Sequence, residues 1–349
     1  MKSNILKFIC CPVCREQLNL KSKKEQKGEI KEGILKCSGG HHYPIINFIP
    51  RLILGATKEY LSQGQIKKSF SSKWKMWPQF NNWYKKFFDG WFMRKIGISE
   101  KKYFAKYFKN KKMMLDAGTG LGTKVETMCR LSKGEVFGVD IAEGSVEAAY
   151  KNTKRYPNAH IIQADIFNLP FKKEIFDFIV SDGVLHHTPN TKKAFFKLIP
   201  FLKKRGDIAI HVYKKMGPIR EFTDDYIRSF ATKLSPAECY KFCVPFTKLG
   251  KSLDEMKVEI KVPQDIPVLE IKKGHYSIQR FIFYEMFKCF WNPNLSFKDN
   301  NLVNFDWFNP EYAWHHTPKE VGNWFKKAGL RKIKRFITNP SGVSMMATK

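Results

Sequence analysis

Between residues 113 and 213 short apolar runs alternate with amphipathic stretches. Met113–Asp116, Glu135–Asp140, His160–Asp165, Phe176–Ser181 and Asp207–Tyr213 read as five strands separated by helical patterns. That alternation predicts an α/β fold, a parallel Rossmann-like sheet with helices on both faces. Near the C-terminus, Thr317-Pro318-Lys319-Glu320 has the form of a capping box with proline at the first helical position. Val321, Trp324, Phe325 and Ala328 then fall on one helical face, and Gly329 fits the stop. Two last strands are expected near residues 332–337 and 343–348. Residues 214–316 separate the fifth strand from this last helix, and are expected to form a cap-like, substrate-facing insertion in a domain spanning 113–349.

Two segments precede that domain. Residues 55–112 are aromatic and basic: Trp74, Trp77, Phe80, Trp83, Tyr84, Phe87, Phe88, Trp91 and Phe92 recur at mixed helical spacings. Short helices packing on the neighbouring domain are expected, with stacking on nucleobases as the other use of such a pattern. Residues 1–54 are too few to bury much apolar surface, and a segment of that size often needs a metal. Cys11-x-x-Cys14 and Cys37-x-x-x-His41 supply two knuckles of soft and borderline ligands, the set that zinc takes in a closed structural tetrahedron. Cys10 stands as an alternative to Cys11, and His42 to His41.

Composition narrows the partners. The formal charge is +30, and residues 1–112 alone carry 25 Lys and Arg against 7 Asp and Glu. A basic N-terminal third suggests an anionic partner such as RNA, an anionic glycan or a membrane surface, or else a surface simply rich in lysine. No apolar run reaches 18 residues, so no transmembrane segment is expected. Lys7 interrupts the apolar start, so no secretion signal is read and a cytoplasmic location is expected. Eight cysteines in that setting are not read as disulfides.

The first strand closes on Asp116-Ala117-Gly118-Thr119-Gly120-Leu121-Gly122. Glycines at alternate positions let the backbone turn sharply and approach a ligand that side chains would block. A dinucleotide fingerprint would place its third glycine at position 123, which is threonine. Asp140, about 20 residues on, ends the second strand, where an acid can accept from both ribose hydroxyls. Asp165 ends the third strand, where a carboxylate can accept from an adenine amino group while Ile166 packs on the ring.

With Gly138-Val139-Asp140, Asp165 through Leu169-Pro170-Phe171, Phe176-Asp177 and Leu185-His186-His187, the stretch Leu115–Tyr213 resembles the class I S-adenosylmethionine-dependent methyltransferases of the type-11 family. Thr119 departs from the cysteine common in that family. The resemblance implies that Asp116, Gly118, Gly120 and Gly122 hold the methionine end of the cofactor. It also implies that Asp140 and Ile141 take the ribose, that Asp165 and Ile166 take the adenine, and that Ser181, Asp182 and Gly183 lie between cofactor and acceptor. The N-terminal segment, through Tyr43-Pro44-Ile45 and Ile49-Pro50-Arg51, resembles zinc ribbons fused to methyltransferases and the free-standing zinc-ribbon activators of eukaryotic methyltransferases.

A sulfonium donor makes its methyl group electrophilic, so in-line positioning supplies much of the rate, and a general base helps only where the acceptor is a hydroxyl. His186 and His187 are candidates, with local structure as their other role. The segment Phe305–Thr317 resembles one in methyltransferases of glycan and natural-product biosynthesis. It offers Asp306, His315 and His316 as acceptor-facing groups, or as packing and helix-start residues. The reading is a methyltransferase acting on a small-molecule or glycan acceptor, with S-adenosylmethionine and structural Zn2+ as cofactors. An RNA methyltransferase using the ribbon and basic N-terminus is the alternative, since ribosomal-RNA guanine methyltransferases also pair a Cys/His ribbon with this fold. A cofactor-binding scaffold or activator without catalysis is the third. Oligomeric state is left open.

Overall fold

Four strands open the chain: β1 (Asn19–Gln26), β2 (Glu29–Lys36), β3 (His42–Ile46) and β4 (Ile49–Leu52). They form an antiparallel meander in which Leu35, Tyr43, Ile45 and Ile49 are buried. The turn between β3 and β4 places Asn47 and Phe48 at positive φ, the handedness a two-residue hairpin needs. The structure, a computed structural model, describes residues 1–53, 62–76, 82–336 and 340–349, with the side chains of residues 82–88 outside that description. Of the aromatic run, Trp77 and Phe80 therefore lie outside it, as do the side chains of Trp83, Tyr84, Phe87 and Phe88.

The connector forms α1 (Gly64–Met76), α2 (Asn82–Lys95) and α3 (Lys101–Lys109). The five apolar runs become β5 (Met113–Ala117), β6 (Glu135–Asp140), β7 (Ala159–Ala164), β8 (Phe176–Asp182) and β9 (Leu202–Tyr213), with α4 (Thr123–Leu131), α5 (Glu143–Thr153) and α6 (Thr191–Leu198) between them. They are parallel neighbours, in the order β7-β6-β5-β8-β9. β5 is buried along its whole length, as expected of a strand covered on both faces. The order reverses at β5, because β6 and β7 run to one side and β8 and β9 to the other. Ligands of open α/β sheets bind at such a reversal, at the carboxyl ends of the strands.

The N-terminal meander does not stand apart from this sheet. β4 pairs in parallel with β7, Arg51 opposite Gln163 and Leu52 opposite Ala164, and the Arg51 guanidinium donates to Gln163 at 3.1 Å. Among the described residues, eleven strands thus form one sheet. Apolar residues of β2 and β3 share a core cluster with Phe137, Phe171 and Phe176, while Phe92, Phe104, Phe108 and Phe178 pack on the other face.

The chain folds as two compact units, residues 1–213 with 316–349, and residues 214–315. The first ends with a helix, Pro318–Lys327, and two antiparallel strands, Arg331–Phe336 and Gly342–Thr348, the second of which pairs with β9. Ile337 lies outside the described residues. Thr317 caps this helix by accepting from the Glu320 amide at 3.1 Å. The Glu320 carboxylate does not close the reciprocal half of the box. It bonds His316 Nδ1 instead, at 3.0 Å.

The second unit is mostly helical. It holds α7 (Pro218–Ala231), α8 (Pro236–Phe242), α9 (Val244–Glu255), a two-stranded ribbon of β10 (Glu259–Val262) and β11 (Gly274–Ser277), α10 (Ile278–Phe281) and α11 (Phe297–Phe308). Arg228 of α7 donates to the carbonyls of Trp307, Pro310 and Glu311, tying down the end of α11. The last carbonyls of a helix have no partner within it, so a buried helix end needs donors from elsewhere.

Candidate functional site

Gly118, Gly120 and Gly122 all have left-handed backbones, with φ of 88°, 51° and 76°. A side chain is excluded by space as well: a Cβ on Gly118 would lie 2.3 Å from Val184, and one on Gly120 would lie 2.9 Å from the Trp74 ring. The Gly118 and Thr119 amides both donate to the Val139 carbonyl at 2.8 Å, which fastens the loop to β6. Asp116, buried at the end of β5, accepts from Thr119 Oγ1 at 2.9 Å through one oxygen. Its other oxygen, Oδ1, is buried without a hydrogen-bond partner. Burial pushes the Asp116 carboxyl up to about 6, against the pull of Lys124.

Asp140 and Asp165 stand at the ends of the next two strands. Asp140 accepts from the amides of Gly120 (3.0 Å) and Ala142 (2.9 Å), so one carboxylate ties together two loops. Each of its oxygens keeps one acceptor position. The neighbouring Ile141 carbonyl accepts from Gln163 Nε2 at 2.9 Å. Asp165 accepts from the Phe167 amide at 2.9 Å and from Gln63 Nε2 at 3.3 Å, with Ile166 buried beside it.

The fourth strand end carries a denser charge. Ser181 spends its hydroxyl on the Ala117 carbonyl at 2.8 Å, stitching β8 to β5. Asp182 is paired with Lys95 Nζ through Oδ1 and with Lys124 Nζ, at 3.2 Å, through Oδ2. The two ammoniums, Lys124 foremost, overcome burial and hold Asp182 well below the usual carboxylate range. Lys95, buried with that single carboxylate, is pulled down to about 8. Gly183 has φ of 76° and donates from its amide to the His211 carbonyl at 3.0 Å. His211 bonds Ser344 Oγ at 2.8 Å, and burial reinforced by Lys95 drives it down to about 3. A small cavity lies alongside, lined by Trp91, Phe92, Thr123, Lys124, Thr127 and Asp182.

The structure therefore gathers Asp116, the glycines, Asp140, Ile141, Asp165, Ile166, Ser181, Asp182 and Gly183 along one edge of the sheet. His186 and His187 follow β8 in a short 3-10 turn and are buried against Tyr213, with ring centroids at 3.8 and 5.4 Å. His187 also meets the Phe70 ring edge-on at 5.1 Å. His316 touches Trp324 at 4.7 Å as well as bonding Glu320. Asp306 belongs to the second unit, on α11, where Trp307 donates to Asp224 at 2.8 Å and His315 bonds Glu221 at 2.9 Å.

Four residues that contact this group were not placed there from the sequence: Gln63, Trp74, Lys95 and Lys124. Gln63 and Lys95 carried no signal. Lys124 carried one, since it is the second residue of α4, where the helix dipole disfavours a cation.

In the N-terminal segment, the donor atoms of Cys11, Cys14, Cys37 and His41 all lie within 4.8 Å of one another. Cys14 and Cys37 sulfurs are 3.5 Å apart, and His41 Nδ1 is 3.3 Å from Cys37 and 3.7 Å from Cys11. Cys10 and His42 are not of this group. Arg15, next to the knuckle, donates to the Leu169 carbonyl at 2.7 Å and to that of Phe171, and the Cys10 amide donates to Pro170. The knuckle is thereby joined to the loop that leaves Asp165.

Residues 108–241 match the family model described as a methyltransferase domain. This chain is 31% identical over 111 residues to a demethylmenaquinone methyltransferase of Staphylococcus haemolyticus, a stretch that is 28% of this chain and 46% of that protein. It is 29% identical over 109 residues to the demethylmenaquinone methyltransferase of Staphylococcus aureus, covering 28% and 45%. The chain thus spans less than half the length of these curated relatives. Among solved structures, magnesium protoporphyrin IX methyltransferase from Synechocystis PCC 6803 with bound SAH is 11% identical, with 83% of this chain and 98% of that chain covered and a TM-score of 0.42. Residues 108–241 are thus similar to methyltransferase domains, and the sheet they build has Rossmann-like α/β architecture. Among the described residues, no helix is long and apolar enough to cross a membrane.

Proposed function

We propose that this protein transfers a methyl group from S-adenosylmethionine to a small-molecule acceptor. The observation that carries the reading is the loop Asp116–Gly122, whose three left-handed glycines and orphaned Asp116 oxygen form a cradle for the amino-acid end of such a donor. Asp140 retains acceptor positions for ribose hydroxyls, and Asp165 with Ile166 suits an adenine edge and face. When bound, the donor supplies a methyl group made electrophilic by its sulfonium. The chain's own work is to orient and to exclude water: α1 lies along this edge, with Gln63 on Asp165 and Trp74 against Gly120. For a hydroxyl acceptor, His186 and His187 are the candidate bases nearest the fourth strand end. His316 is assigned to acceptor-side positioning. The S. haemolyticus and S. aureus relatives are named for a quinone substrate, which makes a quinone-type ring the first acceptor to try.

Cys11, Cys14, Cys37 and His41 fit a structural zinc ion. A tetrahedron with zinc–ligand lengths of about 2.0–2.3 Å has edges of about 3.3–3.8 Å; three of the separations among these atoms are 3.3, 3.5 and 3.7 Å, and all lie within 4.8 Å. With no open ligand position in such a set, the ion's contribution is to hold the ribbon together.

The test is transfer of a labelled methyl group from S-adenosylmethionine into cell extract fractionated into metabolites, glycans and RNA. Label in the metabolite fraction is expected. Label confined to RNA or glycan overturns the acceptor class, and failure to bind S-adenosylhomocysteine overturns the donor.

A further inference from the structure

In the second unit, α7 reverses the usual arrangement of a surface helix. Such a helix turns its apolar stripe to the core and its charges to water. The buried face of α7 instead holds Arg220, Asp224 and Arg228, at four-residue spacing. Asp224 accepts from Arg220 Nε and from Trp307 Nε1, both at 2.8 Å, and Arg228 holds the carbonyls at the end of α11. About 200° round the helix from Arg220 begins a second stripe at the same spacing. It consists of Phe222, Tyr226 and Phe230, which are 72%, 61% and 53% exposed. The Tyr226 and Phe230 rings meet edge to face at 5.3 Å. At the start of the helix, a Cβ on Gly217 would lie 2.7 Å from the Leu269 carbonyl. The loop that rests there adds two more exposed apolar side chains, Ile266 and Val268. Single exposed apolar residues are ordinary, but an aromatic stripe of this kind marks a contact surface.

We propose that the stripe Phe222, Tyr226 and Phe230 is a docking surface for an anionic phospholipid membrane, with α7 lying in the plane of the interface. Area and charge select that occupant over a second copy of this chain. The three rings leave roughly 300–450 Å² open, taking about 150–250 Å² for each whole side chain, whereas a stable dimer needs about 800 Å² from each partner. A short apolar stripe is enough for a helix that sinks one face into the headgroup boundary. Phenyl and phenol rings suit that depth, since Tyr226 keeps a hydroxyl for the wet side. Exposed Lys215 and Lys233 stand just before and just after the helix, with Asp225 as the exposed acid within it. The whole chain carries +30. A bilayer surface of anionic lipid attracts such a chain, and a second copy of the same charge repels it. The attachment is peripheral, and it does not depend on the donor reading above.

Co-sedimentation of the full chain with vesicles of phosphatidylcholine, alone or mixed with phosphatidylglycerol, tests this, with light scattering to read the oligomeric state. Binding to the mixed vesicles is expected, and it should fall as salt is added. The triple substitution Phe222→Ser, Tyr226→Ser, Phe230→Ser should weaken it about 100-fold or more, and Phe222→Ser alone about 5- to 20-fold. Phe222→Trp, which keeps a ring suited to the interface, should retain it. Lys215→Gln combined with Lys233→Gln should weaken it about 10- to 30-fold. All these side chains are exposed, so the variants should keep the circular dichroism of the wild type. Vesicle binding retained by the triple variant overturns the proposal, as does a wild-type protein that ignores the mixed vesicles. A wild-type dimer that the triple variant splits into monomers overturns it too, and makes a second copy the occupant of this face.

Discussion

The glycine loop and the cysteine knuckle both adjoin one sheet, and they are built on opposite principles. The loop is defined by side chains that are missing. Its geometry is complete without a ligand, because Val139 holds two of its amides and Asp140 a third. The knuckle is defined by side chains that are present and crowded. Three sulfurs and an imidazole nitrogen within 4.8 Å gain little from one another, and the proposed structural ion would give that crowding its reason. One turn is preorganised by the backbone, and the other, on that proposal, depends on its ion.

The largest expected effect separates the two. Chelation, or Cys37→Ser, should unfold the ribbon and lower the thermal midpoint by more than any substitution in the loop, since structural zinc carries much of the folding free energy of small ribbons. Circular dichroism with metal analysis checks this, and a metal-free protein of unchanged midpoint would show that the knuckle stands by itself. Next in size is Gly118→Ala. A side chain at φ of 88° and 2.3 Å from Val184 should cost about 2–4 kcal/mol and abolish donor binding, while zinc content stays the same.

Arg15→Ala sharpens the comparison by cutting the link between the sites. Losing its bonds to the Leu169 and Phe171 carbonyls should cost about 1–3 kcal/mol and loosen hydrogen-exchange protection over residues 165–171, with the metal retained. A milder effect is expected from acid. His211 folds with its pKa near 3, against 6.5 for the ordinary group, so the unfolded chain takes the proton first. Stability from this group is present above about pH 6.5 and falls as pH drops toward 4, by at most about 1.4 kcal/mol per pH unit. Asp116, raised to about 6, works in the opposite sense between about pH 6 and 4. Denaturant titrations of the wild type and of His211→Asn should differ in slope over that window. His316→Ala, the smallest, removes one partly exposed bond to Glu320 and should change stability by about 0.5–1 kcal/mol. A large fall in turnover with unchanged donor affinity would place His316 at the acceptor.

Much of this was legible along the chain because it depends on local pattern. The five strands, the glycine turn with its spacing, and the capped helix after Thr317 each follow from residues within a few positions of one another. Choosing Cys11 over Cys10 and His41 over His42 required three dimensions, since neighbours in a chain point to different sides of a turn. The capping box was half right: Thr317 caps, but Glu320 finds a histidine closer in space than the backbone it was expected to reach.

Periodicity and glycine placement, taken alone, determined that the middle of this protein is a parallel sheet with a nucleotide-type turn at its first strand. Folding decided that the cysteine segment extends that sheet through β4 and β7, and that Lys95 and Lys124, 29 positions apart, converge on one carboxylate. The physical reason is the range of the forces concerned. Backbone sterics and side-chain period act between neighbours, whereas strand pairing and buried charge are satisfied by whatever the rest of the chain brings close.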